Sequence, residues 1–538
     1  MSGKSFVKGA LVLSIAGILA KCLGALYRIP FARLASDECG AIYALVYPIY
    51  NLLLALSTAG IPLALSKLVA EYEEQGKSGM SLRILKLSLL LLASVGIIVS
   101  VALFISADWI ATNVWEVPGA ALSIRAITPA MLFTCIQAVF RGYFQGMQQM
   151  VPTALSQITE QFVRVGVIFA ALFLLMPYGD EITAAGATAG AAVGSGAALL
   201  LMLSIYARYR KKQKADADMA SKMDDLKESI SNSQVLQKVV ALAVPIAIGS
   251  LVLPVMQTID SVLVLARLQA GGMSIDTAMV EFNYLGNCVQ PIINLPFMIT
   301  TAVAASLVPN ISEALAMGQK QKVSETFANA MQLAILVVLP ATVGLMTLAE
   351  PIMNMLYEKP GAGVAMFWSA AVVLVVGLYQ ISAGTLQGMG KAMVPMYSLL
   401  LGAAVKIVLT YTLTAIPAVG IRGAALGSVI GFAAAAGNNI YQVSRKIGWD
   451  WLSMKYHIVK PVISVAAMAV LVLAAYSGVY ALLSSNGTAT LISIMIGGCA
   501  YFAVLLAIGG VSLEIIRKMP KVGNKLAALL LKLKVVKE

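Results

Sequence analysis

The chain has 538 residues, 59% of them apolar and only 12% charged. Soluble domains are roughly a quarter charged, so this composition excludes a secreted or cytosolic enzyme, a nucleic-acid-binding protein and a disordered chain. The net charge of +13, from 38 Lys and Arg against 25 Asp and Glu, reads as membrane topology rather than as a nucleic-acid surface once its positions are followed.

A membrane-crossing helix needs about 20 mostly apolar residues. Fourteen such spans are predicted, at 6–27, 41–65, 84–107, 119–140, 151–176, 182–207, 236–266, 281–308, 327–349, 363–387, 393–416, 421–443, 460–483 and 488–512. The fold class expected is an all-α polytopic membrane protein. The first apolar run follows Lys4 and Lys8, as in a signal peptide. The run is too long for one, and it carries Lys21 and then Arg28, so it reads as a retained helix.

An even number of spans puts both termini on one side. The loops on that side hold most of the basic residues, including Lys67, Lys77, Arg83, Arg141, the run from Arg208 to Lys238, and the tail from Arg517. The opposite loops hold Arg28, Arg33, Arg125, Arg267, Lys359 and Arg422, and are short and acidic, as at Asp37–Glu38 and Asp180–Glu181. The positive-inside rule then makes both termini cytoplasmic. The basic tail is also suited to contact with anionic membrane lipid.

The chain is written twice. Pro48-Ile49-Tyr50-Asn51-Leu52 matches Pro291-Ile292-Ile293-Asn294-Leu295. Gln145-Gly146-Met147, followed by Met150-Val151-Pro152, matches Gln387-Gly388-Met389, followed by Met393-Val394-Pro395. Gly186, Gly190 and Gly194 match Gly423, Gly427 and Gly431. The expected organisation is a six-helix repeat at 1–207, a cytoplasmic linker at 208–234, a second six-helix repeat at 235–446, two further helices within 447–512, and a basic tail at 513–538. Repeats with an even number of spans are parallel, and repeats of this kind place a substrate site between the halves and work by alternating access. The glycine triplets, spaced i, i+4, i+8, read as close helix packing.

An ionisable group inside the bilayer faces a cavity or a partner. Lys21, Glu160, Arg164, Asp260 and Lys406 lie within spans, and Arg28, Arg33 and Arg267 lie at the outer ends of spans 1 and 7. Cations dominate, and a cavity lined by Lys and Arg suits an anion, phosphate above all. The alternative for Arg28, Arg33 and Arg267 is snorkelling to the interface. Glu160 and Arg164 stand i, i+4, either as a neutralised pair that lets the helix insert or, with Asp260, as carboxylate chemistry for H⁺ or Na⁺ coupling. Asn283, Asn287, Gln290 and Asn294 share one face of an ideal helix in span 8, continued by Thr301. Tyr43, Tyr47, Tyr50 and Ser57, with Asn51 beside them, form a similar stripe in span 2. Such faces either bond a neighbouring helix or line a wet cavity, where amides and phenols grip sugar and peptide.

Catalytic signatures are lacking. There is no GxxxxGK[ST], HExxH or GxSxG, no cysteine pair at CxxC spacing, and a single loop histidine, His457. No metal, cofactor or enzymatic role is expected, and transport would draw on an ion gradient, the membrane potential or consumption of product. A drug antiporter would show acidic cavity residues, and a membrane glycosyltransferase would need longer outer loops. A scaffold without transport would not need intramembrane charge.

Several stretches carry a more specific resemblance: Phe6-Val7-Lys8-Gly9, Ser66-Lys67-Leu68-Val69-Ala70-Glu71, Ala126-Ile127-Thr128-Pro129, Arg141-Gly142-Tyr143-Phe144-Gln145-Gly146 and Glu160-Gln161-Phe162-Val163-Arg164. With the repeat and the basic linker, they resemble the multidrug/oligosaccharidyl-lipid/polysaccharide flippase superfamily and, within it, the stage V sporulation protein B family. The resemblance implies a bacterial cytoplasmic-membrane protein of cell-envelope polysaccharide export. It implies a cargo such as lipid II, an undecaprenyl-diphosphate-linked peptidoglycan precursor. It assigns Lys21, Arg28, Arg33 and Arg267 to the diphosphate, and spans 13 and 14 to a groove for the lipid tail. The lipid II flippases of the superfamily carry arginines on helices 2 and 8, where this chain has residues near Leu54 and Gln290, so another lipid-linked glycan is an open alternative.

Overall fold

The computed structural model describes residues 26–58, 60–219, 231–447 and 451–510, with scattered positions within 12–24. Among the described residues the chain is helical throughout, without strands. In order the helices are α1 (Arg28–Leu34), α2 (Asp37–Thr58), α3 (Ile61–Glu74), α4 (Ser78–Trp109), α5 (Ala120–Gly146), α6 (Met150–Leu175), α7 (Asp180–Met219), α8 (Asn232–Ala270), α9 (Ile275–Asn283), α10 (Gln290–Ala316), α11 (Lys320–Thr347), α12 (Ala349–Tyr357), α13 (Ala362–Gly388), α14 (Met393–Leu413), α15 (Ile421–Ile447), α16 (Trp451–Leu483) and α17 (Asn486–Ala507). A π-helical turn follows α4 at Ile110–Val114, and another joins α9 to α10 at Tyr284–Val289.

Among the described residues, eleven stretches are long and apolar enough to cross a membrane. They coincide with expected spans 2 to 6, 8 to 11, 13 and 14. The span expected at 236–266 falls inside α8, and that at 421–443 inside α15, whose glycines and Asn438–Asn439 lower its hydropathy. The 6–27 span lies largely outside the described residues. Helix dominates because no water is available in the hydrocarbon to satisfy an open backbone. Prolines inside α2 (Pro48) and α5 (Pro129) are accommodated in the same setting. Near the first of these, Thr258 of α8 donates to the Pro48 carbonyl at 3.2 Å. Gly60 breaks the chain between α2 and α3 at φ 82°, a left-handed value that favours glycine.

Packing divides the chain into two compact units, Met1–Ala266 with Ser274–Asn283, and Arg267–Met273 with Tyr284–Glu538. Helix α8 groups with the first unit as far as Ala266, and at its start Val235, Val239 and Ala243 enter that unit's core beside Leu85, Phe140, Tyr143 and Met202. In the second unit a core forms around Ile311, Phe327, Met331, Ile381 and Leu386.

The glycine triplets do the same work in each unit. In the first, α7 lies so close to α6 that a Cβ on Gly194 would stand 2.6 Å from the Glu160 carbonyl oxygen and 3.1 Å from Arg164 Cβ. In the second, α15 lies on α14, and a Cβ on Gly431 would stand 2.6 Å from the Gly402 carbonyl oxygen and 3.0 Å from Lys406 Cβ. Each third glycine therefore covers a buried basic residue, Arg164 at 8% exposure and Lys406 at 2%.

Candidate functional site

The polar centre of the first unit is built on three helices. Helix α6 presents Glu160 and Arg164 one turn apart, and Arg164 Nη2 donates to Glu160 Oε1 at 2.7 Å. The other carboxylate oxygen accepts from Arg141 Nη2 of α5 at 2.9 Å. Arg141 also donates to Gln137 Oε1 at 2.7 Å and, through Nε, to Ser156 Oγ at 3.1 Å. From α2, Tyr47 accepts a hydrogen bond from Arg164 Nη1 at 2.7 Å. Removing one partner from a buried ion pair leaves the other uncompensated, so one carboxylate shared between two guanidiniums ties α5 to α6, and Arg164 ties α6 to α2.

Tyr47 extends this centre to the first span. The Arg28 guanidinium lies over its ring, 5.6 Å from the centroid, within cation–π range. Tyr43 stacks on Tyr47 at 5.1 Å, and the Tyr50 ring lies tilted to it at 5.7 Å. The hydroxyls of Tyr27 and Tyr43 are 2.7 Å apart. The phenols of the span 2 stripe are buried here against one another and their arginine neighbours. Arg28 is half-buried, at the start of α1. The connected set Arg28, Arg141, Arg164 and Glu160 carries more positive than negative charge, so its chemistry favours an anion.

The other residues singled out by the sequence lie elsewhere. Lys21 lies outside the described residues. Arg33 is exposed in the last turn of α1, Asn51 is half-buried on α2, and Asp260 is half-buried on α8. Arg267 stacks on the Tyr411 ring of α14 at 3.9 Å and donates through Nε to the Tyr411 carbonyl at 3.0 Å. Lys406 is buried on α14 beneath Gly431. Asn287 is buried within the Tyr284–Val289 π turn. Gln290 donates to Asn294 at 3.2 Å within α10. Asn283 closes α9 and donates to Asp37 Oδ1 at 2.8 Å. The π turn adds residues to the helical repeat, so the spacing that aligned Asn283 with Asn287 and Gln290 on an ideal helix does not continue through it.

Arg141 corrects the sequence reading. The sequence assigned it to an inner loop, but α5 continues to Gly146 and carries Arg141 into contact with Glu160. Its place beside Gln137, one turn earlier, was the available signal. No sequence signal reports the Tyr47 partnership, which depends on helix packing.

A family described as polysaccharide biosynthesis protein matches residues 6–315, and the MatE family matches residues 245–412. The chain is 32% identical over 527 residues to the uncharacterized membrane protein YabM of Bacillus subtilis, spanning 97% of this chain and 96% of that one. It is 30% identical to stage V sporulation protein B of the same organism, over 80% of this chain and 82% of that one. The chain belongs to the polysaccharide biosynthesis protein family, in the branch that includes stage V sporulation protein B. The lipid II flippase MurJ of Bacillus subtilis is 28% identical over 84% of each chain. Among solved structures, a lipid II flippase MurJ in an inward closed conformation superposes with a TM-score of 0.65 at 14% identity, over 92% of this chain and 98% of that one. An inward-facing multidrug resistance MATE family transporter of the MOP superfamily gives 0.66 at 14% identity, over 82% and 98%. This member of the family is thus a multi-pass membrane protein with the fold of MOP-superfamily transporters.

Proposed function

We propose that the protein is a flippase that moves a polyprenyl-diphosphate-linked saccharide, foremost lipid II, from the inner to the outer leaflet by alternating access. The observation that carries this reading is the surplus of guanidinium over carboxylate in the network of Arg28, Tyr47, Arg164, Glu160 and Arg141. A diphosphate needs such a surplus, and Arg suits its oxygens. The similarity to the Bacillus subtilis lipid II flippase over 84% of each chain supports the cargo class.

In this reading Lys21, Arg28, Arg33 and Arg267 serve the diphosphate. Asn51, Asn287, Gln290 and Asn294 serve the saccharide or its peptide, and α16 and α17 serve the polyprenyl tail. The undecaprenyl-linked cargo needs no cofactor, and the protein moves it without chemical conversion. Glu160, Arg164, Asp260 and Lys406 are the charged groups available for ion coupling or for charge pairing. Both termini face the cytoplasm of a bacterial cell. The repeats are those at 1–207 and 235–446, and a role in sporulation follows the resemblance to stage V sporulation protein B.

A second reading, a cation-coupled multidrug antiporter, draws on the MatE match at residues 245–412. The excess of intramembrane cations speaks against it.

The test is reconstitution of the full-length protein in vesicles carrying fluorescent lipid II on the inner leaflet. Transfer to the outer leaflet that depends on the protein and on Arg28 supports the reading. Transfer of a cationic dye by the protein, with lipid II unmoved, replaces it with the antiporter.

A further inference from the structure

Tyr47 is 9% exposed, and both of its recognition surfaces are engaged. Its hydroxyl accepts from Arg164 Nη1 at 2.7 Å. Its ring carries the Arg28 guanidinium at 5.6 Å. Arg28 is restrained from a second direction, because the preceding residue, Tyr27, has its hydroxyl 2.7 Å from that of Tyr43, and Tyr43 stacks on Tyr47. Glu160 offsets the charge of Arg164 at 2.7 Å. Arg164 acts on Tyr47 as a hydrogen-bond donor that sets the ring, its charge offset only in part because Glu160 is shared with Arg141.

A free arginine side chain is rich in rotamer entropy. Fixing its head group before the ligand arrives removes part of the cost of binding. We propose that Tyr47 is a positioning residue, which holds the Arg28 guanidinium ready for the diphosphate of the cargo, with Arg164 and Glu160 holding Tyr47 in turn. The proposal rests on the reading of Arg28 as a diphosphate ligand.

The test is equilibrium binding of undecaprenyl diphosphate to the purified full-length protein in detergent, for the wild type, Tyr47→Phe, Tyr47→Leu, Arg28→Ala and the two double variants. Tyr47→Phe keeps the ring and loses the acceptor, and weakens binding about threefold. Tyr47→Leu loses the ring as well and weakens binding about tenfold. In the Arg28→Ala background neither change has a further effect, because Arg28 is the route by which Tyr47 acts.

A Tyr47 effect of equal size in both backgrounds, or wild-type binding by Tyr47→Leu, overturns the positioning role and leaves the reading of Arg28 standing. Wild-type binding by Arg28→Ala, or no binding by the wild type, overturns the reading itself and the positioning role with it. The thermal midpoint of each variant reports folding, and if Tyr47→Leu does not fold, the Tyr47→Phe pair decides alone.

Discussion

Arg164 reaches from α6 to α2 and donates to the hydroxyl of Tyr47 at 2.7 Å, both side chains being buried. Because Arg164 is also paired with Glu160, and Glu160 with Arg141, one bond joins the aromatic stripe beside the first span to a charge network shared by α5 and α6. The consequences of this arrangement can be tested one residue at a time.

Glu160→Gln leaves two guanidiniums facing each other without a carboxylate. Breaking a buried pair in this way costs about 3 kcal/mol or more. The expected outcome is a lower unfolding midpoint in detergent, with Glu160→Gln/Arg164→Leu recovering at least half of the loss. A double variant no more stable than the single one would place the loss on Arg141, the other guanidinium that Glu160 holds.

The close helix contacts at Gly194 and Gly431 predict that Gly194→Ala and Gly431→Ala are destabilising. Each new methyl meets a backbone carbonyl oxygen at 2.6 Å, an overpacking cost of about 1–3 kcal/mol. Gly166→Ala, on α6 with open space around its Cβ, instead stabilises by up to about 1 kcal/mol through helix propensity. Thermal denaturation of the three variants gives the comparison.

Arg28 and Arg267 differ in what already holds them. Arg267 has Tyr411 on its face and the Tyr411 carbonyl on its Nε, whereas Arg28 lies over the ring of Tyr47 and hydrogen-bonds the Tyr27 side chain. Losing a charge-assisted hydrogen bond costs about 1.5–3 kcal/mol. Arg28→Ala is therefore expected to slow flipping about tenfold or more, and Arg267→Ala to slow it less while lowering stability. Initial flipping rates and unfolding midpoints, measured together, separate the two effects.

The distribution of Lys and Arg predicts topology. A reporter fused after Glu538 should read cytoplasmic, and one inserted in the loop holding Asp180 and Glu181 should read external. The opposite pattern would contradict the orientation drawn from the basic loops.

Much of the fold could be read from sequence because the bilayer leaves the backbone few choices. A run such as 84–107 can only be a helix, and it lies within α4. The Glu160–Arg164 pair was also legible, since i, i+4 spacing puts both groups on one face. Arg141 was missed because hydropathy ends a span where charge begins, whereas α5 continues for a further turn and pays for the charge with Glu160. The Tyr47–Arg164 bond was not legible, because residues so far apart in sequence meet only through tertiary packing. The amide stripe of span 8 was misaligned by the Tyr284–Val289 π turn, a local change of helical period that residue types alone do not report.

The most direct test of the central claim is the amount of lipid II in the outer leaflet of cells whose resident flippase can be switched off. With this protein supplied, lipid II is expected to reappear outside, and with Arg28→Ala at equal membrane abundance it is expected to stay inside. Lipid II retained inside while the wild-type protein is present in the membrane would contradict the account.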